Sequence, residues 1–456
     1  MQNASCGLKD DMTATRKILE LNAFDMQATA GLDPDVADLV ARRRRVFGPA
    51  SMLFYARPLN LVRGEGVWLI GADGTRYLDA YNNVASVGHC HPRVVAGVSR
   101  QMATLNTHSR YLSEIVYTYA EKLLATLPRE LSNIVLTCTG SESVDLSLRI
   151  ARAVTGGTGF IVTENAYHGN TLAVTEISPS SASAEPRNPN VFLVPAPDTY
   201  RTGPEEVGPL FAANIRKAIS AMKKKKIRFA GLVADSIFSS DGIYPGEPGF
   251  MAEAIADVRK EGGLFIADEV QPGFARTGET MWGFERHGLV PDMVVMGKPM
   301  GNGYPIAGLA VKPDLLATFG KTAGYFNTFG GNPVAAAAGL AVLETLEAEN
   351  LRENALEVGA YLLAGLEAVA QRFSRVGDVR GKGLYIGVEL VRDRKSKTPD
   401  RAAATSVVEM LRDRNILVGI AGPYGNIVKI RPPLCFARDH ADLLVKALSD
   451  SLATLS

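Results

Sequence analysis

Three apolar runs in the middle of the chain end in charge: Phe229–Ala234 at Asp235, Leu264–Ala267 at Asp268-Glu269, and Met293–Met296 at Gly297-Lys298. Read as parallel strands, they deliver these residues to one edge, and ligands of open α/β sheets bind beyond the carboxyl ends of the strands. A carboxylate and a lysine meeting there can be no more than a salt bridge. Thr139-Gly140-Ser141 adds a further chemistry, because it stands between the run Asn133–Cys138 and a helical stretch. Its amides and hydroxyls form a helix N-terminal anion site suited to phosphate. A serine N-cap with Glu142 in the first turn explains the same residues without a ligand. An amine for a Schiff base, a carboxylate for a ring nitrogen and an anion cradle are together what pyridoxal phosphate (PLP) needs.

Those residues need a sheet to position them. From about 130 to 310, short apolar runs alternate with helical segments, the signature of a parallel α/β sheet. Strands are predicted over Asn133–Cys138, Phe160–Thr163, Phe229–Ala234, Leu264–Ala267, Met293–Met296 and Ile306–Ala310. Upstream, Val67-Trp-Leu-Ile and Arg76-Tyr-Leu flank Ala72-Asp73-Gly74-Thr75, which is the turn chemistry of an antiparallel hairpin. Helices are predicted over 35–45, ending in Arg42-Arg43-Arg44-Arg45, and over 211–225, ending near the lysines 223–226. Cations there complement the helix dipole, so neither run is assigned a function. After Asn332-Pro333 the chain reads as helical to about 348, followed by helices and a few strands.

Composition narrows the function classes. The 456 residues carry 49 Lys+Arg against 48 Asp+Glu, without the basic excess that nucleic acid selects. The longest uninterrupted apolar stretch, Val334 to Leu343, is half of the roughly 20 residues that a membrane span requires. Cys6, Cys90, Cys138 and Cys435 show no C-x-x-C spacing, and residues 1 to 30 lack the continuous apolar region of a secretory signal. The expected setting is cytoplasmic, with no membrane or nucleic-acid partner. Two segments mislead. The glycines after Val154 imitate a dinucleotide loop but follow a helix, Glu142–Ala153, and precede a strand, the reverse of what that motif needs. His89-Cys90-His91 imitates a metal cluster, yet adjacent ligands in an extended segment cannot all point one way.

The segment Leu264-Phe-Ile-Ala-Asp-Glu-Val-Gln-Pro-Gly-Phe-Ala-Arg-Thr-Gly278, followed by Gly297-Lys-Pro-Met-Gly-Asn-Gly-Tyr-Pro305, resembles the signature of the class III PLP-dependent aminotransferases. Thr139-Gly-Ser-Glu142, Ala166-Tyr-His-Gly169 and Thr328-Phe-Gly-Gly-Asn-Pro333 match its other motifs in order, so the resemblance spans roughly residues 50 to 450. It implies an α/β protein of PLP fold type I: a large mixed or parallel-sheet domain over 76–335, and a small α+β domain built from 1–75 and 336–456. It also implies that Lys298 holds PLP as a Schiff base and that Asp268 pairs with the pyridine nitrogen. Val270 and Tyr167 would flank the ring, Gln271 would lie near the phenolic oxygen, and Gly140 and Ser141 would bind the phosphate. His168, within the matched Ala166–Gly169 motif, is carried over as a cofactor contact. Thr328 would reach the cofactor of a second subunit, making the active unit a homodimer. Taken singly, Val270 and Tyr167 read as ordinary core packing.

Two departures bear on the reaction. Where many members carry a carboxylate-binding arginine three residues before a Pro-Pro-Leu motif, this chain has Lys429, with Arg431 beside Pro432. The gating glutamate of aminobutyrate-type enzymes is missing from Asp235-Ser-Ile-Phe-Ser-Ser240. With Asn82–Pro92, Ser109-Arg-Tyr-Leu112, Pro197–Arg201 and Lys429–Phe436, these features resemble the ethanolamine-phosphate phospho-lyase branch. Elimination needs no keto-acid acceptor and tolerates the lost arginine. In that reading the amine of Lys298 removes a proton from the carbon bearing nitrogen, and a β-phosphate leaves. Arg110, Tyr111, Lys429 and Arg431 are the candidate substrate contacts, the cations for a phosphate. Each cation also reads as an ordinary ion pair. The alternative is a transaminase of ω-amines or ω-amino acids using pyruvate or 2-oxoglutarate. Tyr304 and Ser143 depart from the histidine and alanine usual in the branch, which bears on substrate choice.

Overall fold

Alternation inside the central apolar runs decides the architecture. In the strand Leu264–Asp268, Phe265 and Ala267 turn into one core and Ile266 into another; in Phe229–Asp235, Leu232 and Ala234 part from Ala230 and Val233 in the same way. Successive side chains of a strand point to opposite faces, so a strand covered on both faces reads as one continuous apolar run. The computed structural model, which describes residues 20–181 and 188–455, places these strands at the centre of a seven-stranded sheet. The order is Asn133–Thr137, Ala307–Val311, Met293–Met296, Leu264–Asp268, Phe229–Asp235, Gly159–Thr163 and Val191–Val194.

Neighbours from Met293–Met296 to Val191–Val194 are parallel, whereas Ala307–Val311 runs antiparallel to both of its partners. The sheet is therefore mixed, and one expected parallel strand is reversed. Val191–Val194, at the edge of the sheet, was not among the predicted strands. Helix Pro204–Lys224 starts seven residues before the expected 211, with Pro209 in its interior, and its Lys223 pairs with Glu261 at 2.5 Å. Helix Pro34–Phe47 ends in Arg44 and Arg45, as dipole complementation requires.

The first hairpin forms as expected, Trp68–Gly71 against Arg76–Asp79, and Ile416–Leu417 adds to it in parallel, so the two chain ends share a sheet. A second antiparallel sheet runs Val376–Lys382, Tyr385–Asp393, Ile427–Ile430, Gly419–Ala421. Helix Pro333–Ala348 begins where the Asn332 side chain accepts from Ala335 N at 2.9 Å, with proline in its first turn.

The glycines after Val154 end a helix: Gly156, at φ 65°, is the left-handed cap of Gly140–Thr155. His89 Nε2 meets Asp79 at 2.7 Å and His91 Nε2 meets Glu349 at 2.9 Å, so the two imidazoles serve different carboxylates. Cys90, Cys138 and Cys435 are unpaired thiols, and no helix of the described residues is long and apolar enough to cross a membrane. Cys6 and the signal reading for residues 1–19 lie outside the described residues.

Candidate active site

Register brings the chemistry together. Asp235 pairs with Asp268 across two parallel strands, and Asp268 pairs with Val295, three residues before Lys298. The carboxyl ends of these strands open on a cavity of about 200 Å³ whose wall includes Tyr167, Gln271, Lys298, Lys429 and Arg431. Lys298 has no ion-pair partner among the described residues, so the simple salt bridge does not form. Burial and the neighbouring Arg431 pull its amine down to about 8, against the opposing pull of Asp268 and Asp235. An amine so placed loses its proton near neutrality, the condition for a nucleophile or base.

Asp268 is buried and engaged. Its Oδ2 lies 2.7 Å from His168 Nδ1, and its Oδ1 accepts from Val270 N at 3.1 Å. The His168 amide in turn donates to Ser178 Oγ at 2.9 Å. His168 and the Val270 amide thus fix the orientation of the carboxylate. Glu269, its neighbour in sequence, turns away: it accepts from Ser236 Oγ, Gly283 N and Phe284 N at 2.7–3.0 Å and anchors the start of the turn of helix Gly283–His287. Asp235 is likewise closed, by Ile237 N at 2.9 Å and by the amide and hydroxyl of Ser239, and burial pushes it up to about 6. Of these three strand-end carboxylates, Asp268 is the one that meets a histidine.

The anion cradle needs one correction. The N-cap of helix Gly140–Thr155 is Thr139, not a serine: its hydroxyl accepts from Glu142 N at 3.2 Å, while Glu142 reaches back to Cys138 N and Thr139 N at 2.8 and 3.0 Å. Ser141 is thereby released, its hydroxyl shared with Asn170 at 3.0–3.1 Å, and the amides of Gly140 and Ser141 have no partner among the described residues. Backbone packs too closely here for side chains. A Cβ on Gly140 would stand 3.1 Å from Val270, and one on Gly169, at φ 144°, would strike Ser141 Oγ. Free first-turn amides, an unpartnered lysine and an oriented carboxylate fit PLP without rearrangement.

The remaining expected residues divide into two groups. Lys429 and Arg431 reach the cavity at 6% and 5% exposure, neither facing a carboxylate among the described residues. Arg110 and Tyr111 do not reach it: Arg110 stacks on Phe326 at 4.5 Å, Tyr111 on His108 at 4.9 Å, both on the surface. Thr328, two residues beyond Phe326, is also exposed. Ser143 spends its hydroxyl on Thr137 Oγ1 at 2.7 Å in full burial, so that departure is internal packing and not a substrate contact. Sequence reasoning missed Arg276, which binds the carbonyls of Leu384 and Pro432 and pins the segment carrying Arg431. Its signal was present in the Ala275-Arg-Thr-Gly278 motif, but its partners lie more than 100 residues away.

A mixed sheet with this lysine, carboxylate and cradle at its strand ends defines an enzyme of the PLP type. Residues 54–452 match the aminotransferase class-III family, and the chain belongs to it, with PLP as its cofactor. The chain is 38% identical over 431 residues to an alanine–glyoxylate aminotransferase 2-like protein of Drosophila melanogaster, covering 92% of this chain and 87% of that one. It is 34% identical to ethanolamine-phosphate phospho-lyase homolog 1 of Caenorhabditis elegans, over 92% and 94%. Among solved structures, a phospholyase from Arthrobacter in complex with phosphoethanolamine superposes with a TM-score of 0.89 at 42% identity, covering 92% of this chain and all of that one.

Proposed function

We propose that the chain is a phospho-lyase that releases phosphate and ammonia from O-phosphoethanolamine or a similar phosphorylated amine. One observation carries this: Lys429 is buried on the wall of the Lys298 cavity, beside Arg431, and its amino group has no anionic partner among the described residues. A buried cation without a counter-ion costs several kcal/mol unless an anion arrives. Burial, Arg431 and Lys298 hold the Lys429 pKa well below its ordinary value, so a doubly charged phosphate would also restore its proton. The likeness to a structure solved with phosphoethanolamine supports the same substrate.

PLP, when bound, supplies an electron sink. The chain's own residues do the rest. Lys298 would attach the cofactor, and its free amine would take the proton from the substrate carbon bearing nitrogen. Asp268, held by His168, would keep the ring nitrogen protonated; Tyr167 and Val270 would confine the ring, and Gly140 and Ser141 would take its phosphate. The electron pair freed at the carbon bearing nitrogen would form a C=C bond as the C–O bond breaks and inorganic phosphate leaves with the C–O pair; protonation of the terminal carbon and hydrolysis by one water would then give acetaldehyde and ammonia. The exposed cluster of Arg110, Tyr111, Phe326 and Thr328 is assigned to a second copy of the chain, whose site it would complete in a homodimer.

The second reading, transamination of an ω-amine or ω-amino acid, is favoured by the aminotransferase name of the 38% identical relative. Holoenzyme incubated with O-phosphoethanolamine and no keto acid separates the two. Equal release of phosphate and ammonia is expected. Amine conversion only after pyruvate or 2-oxoglutarate is added overturns the lyase in favour of the transaminase.

A further inference from the structure

Lys429 and Arg431 are two residues apart and share one cavity, yet they are held differently. The Arg431 Nε donates to the Tyr81 carbonyl at 3.1 Å, and its Nη1 donates to Gln271 Oε1 at 2.5 Å. Its guanidinium lies over the rings of Tyr81 and Tyr385, 5.1 and 5.6 Å from their centroids. Among the described residues the Lys429 Nζ meets the Tyr81 ring alone, 5.4 Å from its centroid. Gln271 Oε1 accepts a second bond, from Asn83 Nδ2 at 2.9 Å. An amide whose carbonyl receives two N–H donors cannot flip, since its NH2 would then face both of them. Its Nε2 is the end left for the cavity, and it has no partner among the described residues.

We propose that Arg431 is a positioning residue that acts on the cofactor through Gln271, fixing the amide so that its N–H is presented to the phenolic oxygen of PLP. Lys429 alone of the pair then meets the substrate anion. The first half stands on the cofactor; the second rests on the phospho-lyase reading. Asn83 and the Tyr81 carbonyl complete the clamp: the carbonyl accepts from the guanidinium, and Asn83 supplies the second donor to the Gln271 carbonyl. A hydrogen bond to the phenolic oxygen stabilises its anion and weakens its hold on the proton at the Lys298–cofactor linkage. Losing that bond raises the pH at which the visible band of the holoenzyme changes.

A double-mutant cycle on substrate-free holoenzyme tests this, with the band's pH midpoint as the readout. Gln271→Leu is expected to raise the midpoint by about one pH unit, the scale of one hydrogen bond to a charged atom. Arg431→Lys keeps the charge but loses the fork, and is expected to raise it similarly. The double variant is expected to match Gln271→Leu alone. Additive shifts, or a wild-type midpoint in either single variant, overturn the proposal. With O-phosphoethanolamine, Arg431→Lys should lower kcat and move KM less than about threefold, while Lys429→Met raises KM about tenfold or more. The reverse pattern would make Arg431 the anion receptor. Failure of all variants and wild type to release phosphate would reject the substrate reading and leave the spectroscopic result standing.

Discussion

Two groups of cations meet one antiparallel sheet, which carries Arg380 and Lys429 on its strands, and they are treated in opposite ways. In one, Glu389 is fully buried between two arginines: its Oε1 accepts from Arg201 Nη2 at 2.6 Å and its Oε2 lies 2.9 Å from Arg380 Nη1. Asp198 and Asp378 add a second carboxylate to each arginine, at 2.9 and 2.7 Å. In the other, Lys429 sits opposite Gly387, two residues from Glu389 along the same strand, and faces Arg431 and Lys298 without an acid. Buried charges are normally paired. The paired group holds the fold together; the unpaired one is unfinished until something anionic enters.

That contrast can be broken from either side. The largest effect is expected at Lys298→Ala: turnover falls by about 10⁴-fold, the upper range for a lost general base, and the visible cofactor band disappears. The thermal midpoint of the apoprotein should not fall, because this amine has no ion-pair partner to lose. Normal turnover would refute the assignment. Next is Glu389→Gln, which leaves each arginine with one carboxylate in place of two and should cost about 1–3 kcal/mol in denaturant unfolding. An unchanged midpoint would mean that the paired group is not structural. Lys429→Met should separate the two readouts: KM for O-phosphoethanolamine rises, while apoprotein stability holds or increases as a buried amine without an acidic partner among the described residues gives way to an apolar side chain of similar length. A stability loss as large as that of Glu389→Gln would erase the distinction between the groups.

The strand-end residues were legible because a parallel strand announces its own end: Leu264–Ala267 is apolar until Asp268, and Met293–Met296 until Gly297-Lys298. Which of those ends is used was not legible. Asp235, Asp268 and Glu269 look alike in sequence, and only tertiary contacts show Glu269 capping a turn, Asp235 closed by Ser239 and Asp268 held by His168. The cap on the cradle was misread for a similar reason, since threonine and serine both suit that position and the reach of Glu142 decides between them. Lys429 and Arg431 were visible as charges. Their lack of acids is a property of the space around them, and Arg110 carries the same charge but lies on the surface.

Asp241 extends the contrast to an acid and gives the smallest effect. It is buried, with only neutral donors, Thr163 Oγ1 at 2.7 Å and Asn165 N at 3.0 Å, and with Asp235 and His168 as its nearest charged or titratable neighbours. Burial pushes its carboxyl from 3.8 up to about 7. Between those values the native state keeps a proton that the unfolded chain has released. Its contribution to stability is therefore complete below pH 3.8 and lost as pH rises through 7. Asp241→Asn keeps both hydrogen-bond partners and cannot ionise. Between pH 6 and 7 the wild-type protein should lose about 1 kcal/mol more stability than the variant, read from denaturant midpoints at the two values. Equal slopes would show that Asp241 stays ionised on neutral donors alone, so that burial without a counter-ion would no longer distinguish a receptor cation such as Lys429 from a structural one.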